Sequence, residues 1–207
     1  MSAAAGLRAP IGADAVLPPI DVQQGFDGPG RPALGGRPDA PALRLLAAWR
    51  ASGRAVIHVG RDSVKPGSAF APGHPGNAFR EGFSPLPGEA LAAKSVNAAF
   101  IGTDLDLRPR RLGASTVVAL GLTTDMCVST TVRVGANLGY RMIVAGDACA
   151  AFDQPGLDGV VVSAATIHAV HPGTLANEFA EVATVEAIIA ALAPRRWRAW
   201  RGGPNFC

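Results

Sequence analysis

The chain has 207 residues, of which 48% are hydrophobic and 17% charged. This composition supports one folded domain of ordinary size and excludes a mainly disordered chain. The formal net charge is +3, but four arginines among the last thirteen residues account for the excess, because the rest carries 15 basic against 16 acidic residues. We therefore expect no nucleic-acid-binding face on the domain.

Strand-like apolar runs alternate with helix-like segments along the chain, an order typical of a mainly parallel sheet with crossover helices. We predict a three-layer α/β fold with a six-stranded sheet and helices on both faces. The predicted strands are 15–21, 55–59, 91–95, 116–120, 140–145 and 179–183. The predicted helices are 39–52, 103–112, 125–137, 157–170 and 185–192, the first capped by Asp39 and the second by Thr103.

The ends of the chain differ in character from the domain that we place at 15–193. Residues 1–14 are predicted to be a flexible segment and residues 194–207 a basic tail. Neither a signal-peptide core nor a stretch of eighteen apolar residues is found in the sequence. We expect a cytoplasmic protein that does not contact a membrane.

Two features interrupt the regular pattern. Pro18 and Pro19 lie in the first predicted strand, so this strand either begins late, near Ile20, or is distorted, because proline cannot donate to a ladder. The segment 60–88 contains five prolines, six glycines and three phenylalanines. A flexible linker would not need the aromatic side chains, and we therefore interpret this segment as a loop that lines a site.

Three residues with chemical potential lie at or near the carboxyl ends of predicted strands, where parallel α/β sheets bind ligands. They are Asp21, Lys94 and Cys127. Cys127 falls in the first turn of a predicted helix, which should lower the pKa of its thiol, and a nearby carboxylate could instead take the thiol proton. Lys94 is one of two lysines against 17 arginines, which suggests a specific partner. Capping, solvent-directed and core-filling roles remain the alternatives for the three residues.

Around these residues the sequence resembles the isochorismatase-like cysteine hydrolases, a superfamily that includes nicotinamidases, N-carbamoylsarcosine amidohydrolases, and biuret and maleamate hydrolases. The resemblance runs from about Ile20 to Ala193. Three ordered motifs carry it, and Asp147-Ala follows the last of them. The motifs are Ile20-Asp-Val-Gln-Gln-Gly-Phe26, Lys94-Ser-Val-Asn-Ala-Ala-Phe-Ile-Gly-Thr-Asp-Leu105 and Gly121-Leu-Thr-Thr-Asp-Met-Cys-Val-Ser-Thr-Thr131.

The resemblance implies a Rossmann-like fold and a catalytic triad. In it Asp21 is the general base, Lys94 its charge partner and Cys127 the nucleophile. It also implies a cis peptide between Leu122 and Thr123, with the N–H groups of Thr123 and Cys127 forming an oxyanion hole. The implied reaction is hydrolysis of the C–N bond of a small linear amide, ureide or carbamoyl compound through a thioester.

The sequence departs from the metal-binding members of this superfamily. The Asp-x-His-x-x-His-like cluster of nicotinamidases is missing after the second predicted strand, and His58, Asp62 and His74 do not reproduce its spacing. We expect no metal and no cofactor, and nicotinamide is disfavoured as a substrate.

The predicted partner is a small-molecule amide, and the resemblance implies a homo-oligomer, either a dimer or a tetramer. Phe26, Gln23, Asn97 and Phe100 are predicted to contact the substrate together with the 60–88 loop.

Two other functions stay open. A catalytically silent member of the same fold could bind a small molecule or a partner. A vinyl ether hydrolase of the isochorismate type is less favoured, because it needs contacts to an anionic substrate and no basic cluster lies near the motifs in the sequence.

Overall fold

The computed structural model describes residues 7–27, 34–35 and 38–193. The predicted basic tail and the first six residues of the predicted N-terminal segment lie outside the described residues. The main sheet contains β1 (Val16–Leu17), β2 (Pro19–Ile20), β3 (Leu34–Gly35), β4 (Ala55–Arg61), β5 (Ala90–Lys94), β6 (Thr116–Leu122), β7 (Arg141–Phe152) and β10 (Glu181–Ala183), and a separate hairpin contains β8 (Gln154–Pro155) and β9 (Val161–Val162).

The sheet has the predicted parallel character. Its strands lie in the order β5, β4, β1 with β2, β6, β7 and β10, all paired in parallel, while β3 runs antiparallel beside the end of β7. If β1 and β2 are taken as two halves of one strand, the parallel part of the described sheet has the six predicted members. The predicted α/β fold class is confirmed.

The two prolines divide the first strand without moving it from the centre of the sheet. Both halves pair with β4 and β6, and Pro19 lies in register with Leu120. The next residue pair, Ile20 and Gly121, is so close that a Cβ on Gly121 would lie 2.0 Å from the Ile20 carbonyl oxygen. Gly121 also has a φ of +131°, so this position requires glycine on both steric and backbone grounds.

Helices cover both faces of the sheet. The helices α1 (Asp39–Ala51) and α5 (Val185–Ala190) pack on one face, where Leu45, Trp49 and Ile188 are fully buried. On the other face lie α3 (Ser129–Asn137) and α4 (Ala164–Glu178), which bury Val132 and Leu175. None of the described helices has the length and apolar character that crossing a membrane requires.

Several predicted details are wrong. Asp39 does not cap α1 but is its first residue, and its carboxylate accepts a hydrogen bond from Arg80 instead. Thr103 does not cap α2, because its hydroxyl donates to the Ala99 carbonyl and accepts from the Leu105 N–H. The helix α2 begins only at Leu107 (Leu107–Arg111).

The predicted helix 157–170 is also wrong, because the β8–β9 hairpin occupies its first part. The helix α4 begins instead at Ala164, where Ser163 accepts a hydrogen bond from the Thr166 N–H and caps the new start.

Candidate active site

The fold brings Asp21, Lys94 and Cys127 together at the carboxyl edge of the sheet, although they lie far apart in the sequence. Asp21 follows β2, Lys94 ends β5, and Cys127 lies in the turn after β6. The Lys94 ammonium donates to Asp21 Oδ2 at 2.6 Å and to Cys127 Sγ at 3.4 Å. All three side chains are buried, so the ion pair and the thiol share a site of low dielectric constant.

The backbone has an unusual local conformation at Asp21 and again just before Cys127. Asp21 has a φ of +51°, a conformation that aspartate tolerates better than most residues, and its N–H is held by the Val59 carbonyl at 2.9 Å. On the opposite side the Leu122–Thr123 peptide bond is cis, as the sequence resemblance implies. A single π-helical turn, Thr124–Val128, then presents Cys127 before α3 begins.

Two side-chain hydrogen bonds hold this turn in place. The Thr124 hydroxyl pairs with His168 Nδ1 of α4 at 2.8 Å, and the Asp125 carboxylate accepts from Gln154 Nε2 at 2.6 Å. Burial lowers the pKa of His168, which favours the neutral imidazole beside Thr124.

The prediction of a lowered thiol pKa is wrong. Burial, followed by repulsion from the Asp21 carboxylate, raises the pKa of Cys127 to about 12, although Lys94 acts in the opposite direction. These effects outweigh the helix N-terminus, whose influence falls off within one turn. The resting site therefore holds a thiol, and the thiol needs a base to become a nucleophile.

Asp21 has the properties of that base. Burial raises its pKa, and Lys94 opposes the shift by favouring the ionised carboxylate. Lys94 occupies only Oδ2, while Oδ1 is buried and has no hydrogen-bond partner among the described residues. A buried carboxylate oxygen without a donor is costly in a structural role but is well suited to accept a proton.

The thiol lies at the wall of a cavity of about 740 Å³. An aromatic group of Phe26, Phe70 and Phe152 forms one side, with ring centroids of Phe26 4.7 Å and 5.8 Å from the other two. Met126 and Thr123 also line the cavity. This volume and the apolar wall suit a small organic ligand.

Of the four residues predicted to contact the substrate, two lie at the cavity or beside the thiol and two do not. Phe26 lines the cavity, and Asn97 Oδ1 lies 3.8 Å from Cys127 Sγ. Gln23 does not line it, because its side chain is buried and bonded to backbone atoms of Arg61 and Asn77. Phe100 packs in the core, where it stacks on Tyr140 at a centroid distance of 5.7 Å.

The sequence analysis missed two cationic residues of the cavity, Arg61 and Lys65. The statement that no basic cluster lies near the motifs is therefore wrong, because the fold brings these residues to Cys127. Arg61 ends β4, so the rule that selected Asp21 and Lys94 at strand ends would have selected it as well. Lys65 belongs to the 60–88 loop, part of which lines the cavity as predicted.

The metal candidates from the sequence do not come together. His58 Nε2 pairs with Glu89, Asp62 accepts from Asn77, and His74 Nδ1 accepts from the Gly76 N–H. Among the described residues there is no group of three or more His, Cys, Asp or Glu side chains arranged to hold a metal ion.

Comparison with known proteins connects this site to one family. The isochorismatase domain family model matches residues 16–187. An uncharacterized isochorismatase family protein of Bacillus subtilis, YrdC, is 38% identical over 174 residues, which cover 82% of this chain and 91% of YrdC. Maleamate amidohydrolase of Pseudomonas putida is 30% identical over 156 residues, which cover 67% of this chain and 73% of that enzyme.

A solved structure extends the similarity to the fold. The crystal structure of a putative hydrolase of the isochorismatase family from Chromobacterium violaceum is 36% identical and has a TM-score of 0.84. The match covers 92% of this chain and 98% of that one. Sequence and architecture therefore agree over nearly the whole described domain.

Proposed function

The chain belongs to the isochorismatase family of hydrolases, and from this premise we propose that it hydrolyses the C–N bond of a small amide, ureide or carbamoyl compound through a thioester on Cys127. One observation carries the proposal. A buried lysine contacts both a buried carboxylate, one oxygen of which has no hydrogen-bond partner among the described residues, and the thiol that lines a ligand-sized cavity.

The first step forms the thioester. The thiol proton of Cys127 passes to Asp21 Oδ1, and the sulfur attacks the substrate carbonyl carbon. Lys94, 3.4 Å from Sγ, stabilises the developing thiolate and keeps Asp21 ionised until it accepts the proton. Asp21 then gives this proton to the leaving nitrogen as the C–N bond breaks, so ammonia or an amine departs.

The second step releases the acid. Asp21 is again a carboxylate, and it takes a proton from the water that attacks the thioester carbonyl. The C–S bond breaks, and the proton returns to the sulfur of Cys127. We assign the oxyanion hole to the N–H groups of Thr123 and Cys127, because both residues line the cavity, Thr123 directly before the π-helical turn and Cys127 within it.

Two considerations favour amide hydrolysis over the other functions. Vinyl ether hydrolysis proceeds without an acyl intermediate and gives no role to a nucleophilic thiol. A catalytically silent binding protein would have no reason to leave a buried carboxylate oxygen without a donor beside that thiol. A relative that is named maleamate amidohydrolase supports the same choice.

The test is release of ammonia from a panel of small amides: biuret, N-carbamoyl amino acids, maleamate and nicotinamide. We expect the wild type to turn over at least one of them. Replacement of the nucleophile in Cys127→Ala should lower kcat by about 10⁴-fold or more, with an unchanged circular dichroism spectrum. Intact-mass spectrometry of Cys127→Ser and of the wild type should reveal the acyl-enzyme where deacylation is slow.

Cys149→Ala is the matched control. Cys149 is buried in β7 and does not line the cavity, so its removal deletes a thiol without touching the site. Ammonia release that persists in Cys127→Ala, or that disappears equally in Cys149→Ala, would reject the mechanism. An inert panel together with a Cys127 that does not react with iodoacetamide at alkaline pH would favour the silent binding protein.

A further inference from the structure

We propose that Arg61 binds a carboxylate on the substrate, so that the amide cleaved at Cys127 belongs to a short, singly charged amide acid. This inference deepens the proposed function and rests on it. It follows from the position of Arg61, from the lack of an ion pair between its guanidinium and any carboxylate of the described residues, and from the balance of charges in the cavity.

Arg61 stands at the same edge of the sheet as the reacting groups. It is the last residue of β4 and lies in register with Lys94 at the end of β5. Its positive charge is close enough to act on the Asp21 carboxylate. The guanidinium carbon lies 5.7 Å from the ring centroid of Phe70, within the range of a cation–π contact with the aromatic wall of the cavity.

The guanidinium of Arg61 forms no ion pair with a carboxylate of the described residues. Within the described residues no carboxylate oxygen lies within 4.0 Å of its guanidinium, and its Nε is buried without a hydrogen-bond partner. Three other half-buried or buried arginines form ion pairs: Arg50 with Glu89, Arg80 with Asp27 and Arg141 with Glu181. A buried guanidinium N–H without an acceptor is costly unless a ligand supplies one.

Three hydrogen bonds with side chains hold the backbone of Arg61. The Gln23 side chain accepts from the Arg61 N–H at 2.8 Å and donates to its carbonyl at 3.2 Å. Asn77 Nδ2 donates to the same carbonyl at 2.8 Å. Gln23, which the sequence analysis assigned to the substrate, is therefore a positioning residue for the arginine.

The cavity as a whole favours an anion. Arg61 and the exposed Lys65 line it, and no aspartate or glutamate is among the described residues that do so. The phenylalanines on the wall favour a flat or short apolar spacer between the two ends of the ligand. The arrangement fits a ligand whose carbonyl meets Cys127 and whose carboxylate meets Arg61 in a bidentate pair.

The direct test compares acids with their neutral amides as substrates. Succinamate is paired with succinamide, and N-carbamoylglycine with N-carbamoylglycinamide, for the wild type, Arg61→Gln, Arg61→Lys and Arg44→Gln. We expect the wild type to favour each acid by about 10-fold or more in kcat/KM. Arg61→Gln should lower kcat/KM for the acids roughly 10- to 100-fold and change that for the neutral amides less than about 3-fold.

The two other variants separate charge from geometry. Arg61→Lys retains the charge but loses the planar fork, so it should fall between the wild type and Arg61→Gln. Arg44→Gln removes the same charge from α1, where Arg44 forms an exposed pair with Glu186, and it should leave the preference for acids unchanged. Equal losses for acid and neutral substrates in Arg61→Gln would overturn the proposal, because they would give Arg61 a merely structural role.

A second measurement does not depend on turnover. The rates at which iodoacetate and iodoacetamide alkylate Cys127 are followed by peptide mass spectrometry, and their ratio is compared with that for glutathione. The site should favour the anionic reagent by about 10-fold relative to glutathione, and Arg61→Gln should abolish this preference. Preserved preference in Arg61→Gln, or no preference in the wild type, overturns the role of Arg61.

The two measurements distinguish the two proposals. If no amide is cleaved but the alkylation preference depends on Arg61, the proposed hydrolysis fails and the carboxylate site stands. If amides are cleaved through Cys127 without a preference for acids, hydrolysis stands and the carboxylate site fails.

Discussion

A carboxylate and a cation meet at each end of β5, and the two carboxylates differ in the number of hydrogen bonds that they accept. Before its first residue, the half-buried Glu89 accepts hydrogen bonds from Arg50, from the Leu86 N–H and from His58. At its last residue, Lys94 donates to Oδ2 of Asp21, whose Oδ1 is buried without a hydrogen-bond partner among the described residues. Both clusters contain a carboxylate and a cation within 2.8 Å of each other. Both oxygens of Glu89 accept hydrogen bonds, whereas only one oxygen of Asp21 does so in the described part of the chain.

The pKa values follow this difference. Burial would raise the pKa of Glu89, but hydrogen bonds from Arg50, Leu86 and His58 lower it to about 2. For Asp21 burial dominates and raises the pKa in spite of Lys94. A fully bonded carboxylate holds its charge and stabilises the fold, whereas a partly bonded one can exchange a proton during a reaction.

The largest expected effect is the loss of activity when Asp21 is replaced. Asp21→Asn keeps the size of the side chain but removes the base, so kcat/KM for an amide substrate should fall by about 10³-fold, which corresponds to about 4 kcal/mol. Steady-state kinetics measure the loss, and circular dichroism checks that the fold is retained.

The pH profile sharpens the same prediction. Wild-type activity should decline as the pH falls through the raised pKa of Asp21, because the base becomes protonated. The residual activity of Asp21→Asn should lack this acidic limb. A variant that retains the limb and most of the rate would show that Asp21 is not the base.

Replacement of Glu89, at the other end of β5, should lower stability and leave activity nearly unchanged. Glu89→Gln removes the charge from the two hydrogen bonds of Arg50, 2.7 Å and 2.8 Å long, and should lower the free energy of unfolding by about 2 kcal/mol. Activity should change less than about 3-fold, since Glu89 does not line the cavity. Urea unfolding measures the loss.

A matched control for Glu89 is Glu186→Gln. Glu186 forms an exposed pair with Arg44, so its replacement should cost less than about 0.5 kcal/mol. Comparable losses in the two variants would contradict the structural role that we assign to Glu89.

The last prediction concerns the acid dependence of stability. The pKa of Glu89 is lower in the folded state, about 2 against 4.5, so its stabilisation is complete above pH 4.5 and declines as the pH falls towards 2. Between pH 5 and pH 3 we expect the wild type to lose about 2 kcal/mol more than Glu89→Gln. Urea unfolding at both pH values provides the numbers, and parallel losses in the two proteins would refute the assignment.

Local sequence patterns were sufficient for most of the sheet. Strands of short, continuous apolar residues, such as Thr116–Leu122, are recognisable because both of their faces are buried. The helix at 157–170 was misplaced because a hairpin with exposed valines at 160–162 has an apolar composition that also fits a helix. Asp39 was misassigned because its alternative partner, Arg80, lies 41 residues away.

By itself the sequence determined the chain order of the six parallel strands and identified Asp21, Lys94 and Cys127 as candidates for the site, because these depend on periodicity and on motifs that are local. Only the tertiary structure decided what surrounds the thiol. It turned Gln23 and Phe100 away from the cavity, brought Arg61 and Lys65 to it, and placed Cys127 where burial and a carboxylate raise the pKa of the thiol. Burial and charge proximity are properties of contacts between distant segments, and no local pattern encodes them.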